Sequence, residues 1–168
     1  METEILVFEC GGRHFGVDAG CVRGVLRAVA LTHLPQAPEV LMGLLNLRGR
    51  MLAVLDTSQL LGLGAASMAP TDHLIVVDAE ASELALHVDR AVDLLPITRD
   101  RTSERDPHGE HDRLGDDAAG LISMVAKTDL GVVPVLAVAE LLQHDAMHEI
   151  VAFATSATAT QFTAAFNF

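Results

Sequence analysis

Short apolar runs, rich in β-branched residues, recur along the chain and are separated by glycine, proline or acidic turns. Runs bounded in this way predict strands rather than long helices. The expected strands are ILVFEC (5–10), HFGVDA (14–19), CVRGVLRAV (21–29), GLLNLR (43–48) and RMLAVLD (50–56), then HLIVVDA (73–79), ELALHVD (83–89), AVDLLPI (91–97), GLISMVAK (120–127) and LGVVPVLA (130–137). Helix is expected only around PEVLMG (38–43) and within AVAELLQHDAMHE (137–149). Many short strands at regular spacing imply an all-β chain of small barrels or a sandwich.

The order of apolar positions is doubled. ILVF at 5 followed by HFGVDAGCVRGVL at 14 matches LIVV at 74 followed by ELALHVDRAVDLL at 83. GLLNLRGRMLAVLDTSQLL from Gly43 matches GLISMVAKTDLGVVPVLAVAELL from Gly120, with the extra residues assigned to the second turn. Two similar β-lobes follow from this repeat, with a groove between them as a natural binding place.

Within LLNLRGRMLAVLD (44–56), Asn46, Arg48 and Arg50 interrupt an otherwise apolar run. Leu45, Leu47, Met51, Ala53 and Leu55 read as one apolar face. Two strands joined at a tight Arg48-Gly49 turn account for the interruption, the glycine supplying backbone freedom. Arginine is a good interface residue because its planar fork pairs with a carboxylate. Two solvated arginines beside a turn would give the same pattern.

Charge narrows the partners. The formal net charge is −12, with a single lysine, Lys127. Residues 1–70 hold six acids against five arginines, and 71–149 hold seventeen acids against six bases. Nucleic acid is therefore not an expected partner, since phosphate neutralisation needs clustered cations. The charged segment 97–120 reads as a solvated connector. Residues 150–168 carry no charge, and their Thr, Ser, Gln and Asn argue against a membrane-spanning helix, so direct membrane insertion is not expected. That Ala/Thr/Phe tail is expected to be a flexible extension of a single domain over 1–149. No basic, then apolar segment opens the chain, so a cytoplasmic protein is expected. Cys10 and Cys21 read as reduced core thiols.

LPQAPEVLMGLLNLRGRMLAVLDTSQLLG (34–62) resembles the signature region of the CheW family of chemotaxis coupling proteins, through Leu34, Pro35, Pro38, Gly43, Asn46, Leu47, Arg48, Gly49 and Asp56. The similarity extends, more weakly, from Ile5 to about Leu142. The resemblance implies two intertwined SH3-like five-stranded β-barrel lobes with short helices. It also implies a non-enzymatic adaptor, acting at membrane-associated receptor arrays, that links the cytoplasmic tip of methyl-accepting chemoreceptors to the regulatory domain of a CheA-type histidine kinase. Arg48 is then the first-choice contact residue, with Asn46 and Gly49 shaping its turn and Val22 and Val25 on a hydrophobic edge strand near the partner surfaces. The chain departs from the family pattern at Gly24, where an acid is usual, at Ala53 and Thr57, and at Ala137, where Asp or Asn is commoner. These departures make a divergent chemosensory pathway, controlling pili or gene expression, the alternative setting.

A small metal-dependent enzyme is the competing class. His144 and His148 stand at i,i+4 spacing beside Glu149, and His108 and His111 lie in the acidic connector. A zinc site needs further ligands. The sequence contains no GxGxxG, GxxxxGK[ST], GxSxG or HExxH motif, so no cofactor is expected.

Overall fold

The computed structural model describes residues 2–79, 82–98 and 120–141. Residues 142–149 of the helix expected within 137–149, the connector histidines and the tail lie outside the described residues. The elements are β1 (Glu2–Cys10), β2 (Arg13–Asp18), β3 (Val22–Arg27), β4 (Leu41–Leu47), β5 (Arg50–Asp56), α1 (Thr57–Leu60), β6 (His73–Ala79), β7 (Ser82–Val88), β8 (Arg90–Thr98), β9 (Ile122–Thr128), β10 (Gly131–Leu136) and α2 (Val138–Leu141).

The strands form two five-stranded sheets, ordered β8-β1-β2-β10-β9 and β3-β6-β7-β5-β4. Replacing β1–β5 by β6–β10 in chain order converts one sheet into the other. The repeat read in the sequence is therefore real, but its halves are exchanged. β1 and β2 of the first half complete a lobe with β8, β9 and β10, while β6 and β7 of the second half complete a lobe with β3, β4 and β5. Even the parallel pairings correspond: Val135 and Leu136 lie beside Gly16 and Val17, as Val54 and Leu55 lie beside Ala85 and Leu86.

This exchange explains the continuous apolar runs. In β1, Ile5 and Val7 face the interior of the first lobe with Ile97, Val133 and Val135. Leu6, Phe8 and Cys10 face the other way, into a core shared by both lobes. β6 behaves alike, with Leu74 and Val76 inside the second lobe and Ile75 and Val77 in the shared core. A strand buried on both faces has no polar alternation to display. Phe8 and Phe15, paired across β1 and β2, stack at 6.1 Å in the shared core.

The second lobe is closed by the segment between β3 and β4. Thr32 and Leu44 exchange two backbone hydrogen bonds of 2.9 Å, which is possible because residue 43 is glycine: a Cβ there would meet the Thr32 carbonyl oxygen at 2.8 Å and Leu31 Cβ at 2.9 Å. Buried Asp56 caps α1 through the Gln59 N–H and holds the following loop through the Ala66 N–H, at 2.8 Å. Buried His87 reaches Asp72 at 2.8 Å and fixes the far end of that loop.

Three expectations are corrected. PEVLMG is not helical; a short turn at 38–40 leads directly into β4, whose Leu41 and Leu44 are buried in the shared core. Leu45, Leu47, Met51, Ala53 and Leu55 do not share a face, because a two-residue turn pairs Leu47 with Arg50 and Leu45 with Leu52. Cross-strand partners share a face, so Leu45, Leu52 and Val54 line the lobe interior. The β9–β10 hairpin has no extra turn residues either. Its loop is Asp129-Leu130 between the paired Thr128 and Gly131, the counterpart of Arg48-Gly49.

Candidate functional site

The β4–β5 hairpin closes over Arg48 and Gly49 as the sequence suggests. Both have positive φ, 52° and 85°, the pattern of a type I′ turn, whose twist matches that of paired strands. Glycine adopts this freely, whereas a left-handed arginine costs roughly 1–2 kcal/mol. Asn46 offsets part of that strain, since its Oδ1 accepts the Gly49 N–H at 3.0 Å. The result is an exposed arginine on a hydrogen-bonded tip.

Charged side chains from the neighbouring strands reach the same end of the lobe. Across the order β3-β6-β7-β5 they read Arg23, Asp78, Glu83 and Arg50, with Arg48 beyond them on the turn. Arg23 donates to Asp78 at 2.7 Å, and Arg50 donates to Glu83. The hydrogen bond to Asp78 pushes the pKa of Arg23 up, and the charge of Glu83 adds to it. Among the described residues Arg48 takes part in no ion pair. The two arginines of the sequence motif are therefore not equivalent, because Arg50 is engaged within the sheet and Arg48 has no ion pair among the described residues.

Val22 and Val25 lie on β3, an edge strand that among the described residues pairs with β6 alone. A bulge at Arg23 puts Val22 opposite Val77 and Val25 opposite Ile75, so both valines stand on the side of the shared core. Val22 packs against that core. Val25 stands at its margin, 41 % exposed, and Val29 follows two residues past the strand end. Gly24, where the CheW pattern usually has an acid, has open space where a Cβ would stand. Arg48, Asn46, Gly49 and Val22 thus gather at one end of the second lobe, and Val25 extends the surface along its edge.

Sequence reasoning missed Asp78 and Glu83. They face each other one pair in from the turn of the β6–β7 hairpin, and an acid near a strand end beside a turn is the available signal for a polar rim. The first lobe repeats the geometry with other chemistry: Leu94 stands opposite Leu6 as Val25 stands opposite Ile75, and Leu94, Leu130 and Val132 are exposed there. No group of three or more His, Cys, Asp or Glu side chains is placed to hold a metal among the described residues, and no helix among them is long and apolar enough to cross a membrane.

Comparison with known proteins agrees with this architecture. The CheW-like domain family matches residues 4–146. "Chemotaxis protein CheW" of Rhizobium meliloti is 32 % identical over 95 residues, covering 56 % of this chain and 61 % of that protein. "Protein FrzA" of Myxococcus xanthus is 40 % identical over 75 residues, covering 45 % of this chain and 47 % of that protein. The chain thus spans less than two thirds of the length of these curated relatives. The crystal structure of the scaffolding protein TtCheW from Thermoanaerobacter tengcongensis aligns with a TM-score of 0.73 at 25 % identity, covering 87 % of this chain and 91 % of that one. Two lobes that exchange strands, a hairpin tip bearing Asn46, Arg48 and Gly49, and a family match over residues 4–146 lead to one assignment: the chain belongs to the CheW-like domain family.

Proposed function

We propose that this protein is a non-enzymatic adaptor that joins the cytoplasmic tip of a chemoreceptor to the regulatory domain of a CheA-type histidine kinase, in the cytoplasm at membrane-associated receptor arrays. The observation that carries the reading is Arg48, in no ion pair among the described residues and held at positive φ on the β4–β5 turn, in the same lobe as the edge strand that exposes Val25. A strained residue at a tip, with no partner within the described chain, fits a role in contacting another protein. In that role the Arg48 fork pairs with a partner carboxylate, Asn46 and Gly49 hold the turn, and Val22 and Val25 supply apolar contact.

An adaptor must hold two proteins at once. Mixed with the kinase regulatory domain and a receptor cytoplasmic fragment from its own organism, the protein is expected to elute from a sizing column as a three-component complex. Elution of only binary complexes, each displacing the other, contradicts the reading. Gly24 favours a second setting, a divergent chemosensory pathway, because the acid that the family pattern places there is absent. In that setting the same experiment succeeds with a different kinase and receptor pair.

A further inference from the structure

Two acids outside the signature stretch decide which charges this rim offers. Arg50 stands two residues from Arg48 on the same hairpin, so a bare tip would present two guanidiniums to an incoming surface. Glu83, on the neighbouring β7, takes Arg50. Asp78, on β6, takes Arg23, which also feels the charge of Glu83. Among the described residues, what remains is one cation without an ion pair at one corner, two neutralised pairs across the middle, and the Val22–Val25 strip at the opposite edge of the strand order.

These pairs contribute little to folding. Arg50 and Arg23 side chains are 61 % and 53 % exposed, and exposed ion pairs add little net stability because water and salt screen them. Their effect falls on what can dock. A partner acid over the middle of the rim meets carboxylates whose arginines are already engaged, and like charges brought together in a closing interface are strongly disfavoured.

We propose that Glu83 and Asp78 are specificity-determining residues of this surface, restricting it to a protein partner that presents one carboxylate over the hairpin tip and neutral or apolar groups over the middle of the rim. This rests on the adaptor reading above, with the kinase regulatory domain as the partner.

The test exchanges the pair, Arg50→Glu together with Glu83→Arg. The exchange preserves an ion pair between β5 and β7 but moves its carboxylate onto the hairpin of Arg48, two positions from that residue, where it competes with a partner carboxylate for the guanidinium. The expected result is an unchanged melting temperature and at least a tenfold weaker affinity for the kinase regulatory domain by calorimetry. Glu83→Gln is the second variant, and it frees Arg50 without adding an acid. Its association with the same domain is expected to become more salt-dependent, as one more unpaired cation meets the partner. Wild-type affinity in the folded exchange variant, or an unchanged salt dependence for Glu83→Gln, overturns the assignment. If Arg48→Glu weakens binding in the same series while these two do not, the adaptor reading survives and the role of Glu83 does not. If the wild type binds no such domain, both fall.

Discussion

Asp56 ends β5 and is 2 % exposed. Its Oδ1 accepts the Gln59 N–H at 3.3 Å, capping α1, and its Oδ2 accepts the Ala66 N–H at 2.8 Å. Asp56→Ala removes the cap, which costs ~0.5–2 kcal/mol. It also leaves the Ala66 N–H without its acceptor, at ~1–3 kcal/mol for a fully buried donor and toward the low end for this partly buried one. The expected loss is about 2–3 kcal/mol, which in a chain of this size lowers the melting temperature by roughly 4–12 °C. Asp56→Asn keeps one carbonyl acceptor and should lose about half as much. Urea denaturation and thermal melts of the three proteins measure both values. A loss below about 1 kcal/mol for Asp56→Ala, or equal losses for the two variants, would show that the Asp56 carboxylate does not hold both N–H groups. The exchanged repeat supplies a converse. Ala137 occupies in the first lobe the place of Asp56, directly before α2, and lacks a capping side chain. Ala137→Asp is expected to stabilise the protein by roughly 0.5–1 kcal/mol.

Gly43→Ala should destabilise by at least ~1–3 kcal/mol, read by denaturant midpoint, because its Cβ meets the Thr32 carbonyl oxygen that closes the second lobe; a neutral substitution would mean that this closure is not needed. Burial, aided by the charges of Asp89 and Asp56, pushes the Cys10 thiol up from 9.0 to about 12. The folded state therefore binds that proton more tightly than the unfolded state. The resulting stability is present below pH 9 and is lost as pH rises toward about 12. Cys10→Ala should flatten the alkaline fall in denaturant midpoint, and native Cys10 should resist alkylation until the protein unfolds; rapid labelling of Cys10 in the folded protein contradicts this.

The strands were legible because central strands such as ILVF and LIVV are buried on both faces, and the repeat was legible because each strand type occurs twice. What stayed hidden was long-range. Nothing local tells that β1 and β2 complete a lobe with β8, β9 and β10, since pairing partners are set by a core that both halves build together. The PEVLMG stretch read as helix because its apolar spacing is ambiguous over six residues; tertiary pairing of Leu41 and Leu44 decided for strand. The face assignment failed at the turn, where two loop residues reset the alternation. At the site, Arg48 and Gly49 were visible as a motif, but the difference between Arg48 and Arg50 was not. It depends on Glu83, 33 positions away from Arg50 in the chain.

Arg48, in no ion pair among the described residues, is proposed as the contact residue of a protein-docking surface. The direct measurement is a calorimetric titration of wild type and Arg48→Glu against the regulatory domain of a CheA-type kinase from the same organism, with melting curves of both proteins alongside. Matching melts, binding by the wild type, and at least tenfold weaker binding by the variant are expected, since reversing the charge replaces attraction by repulsion at the tip. A folded Arg48→Glu protein that binds as the wild type does would contradict this proposal.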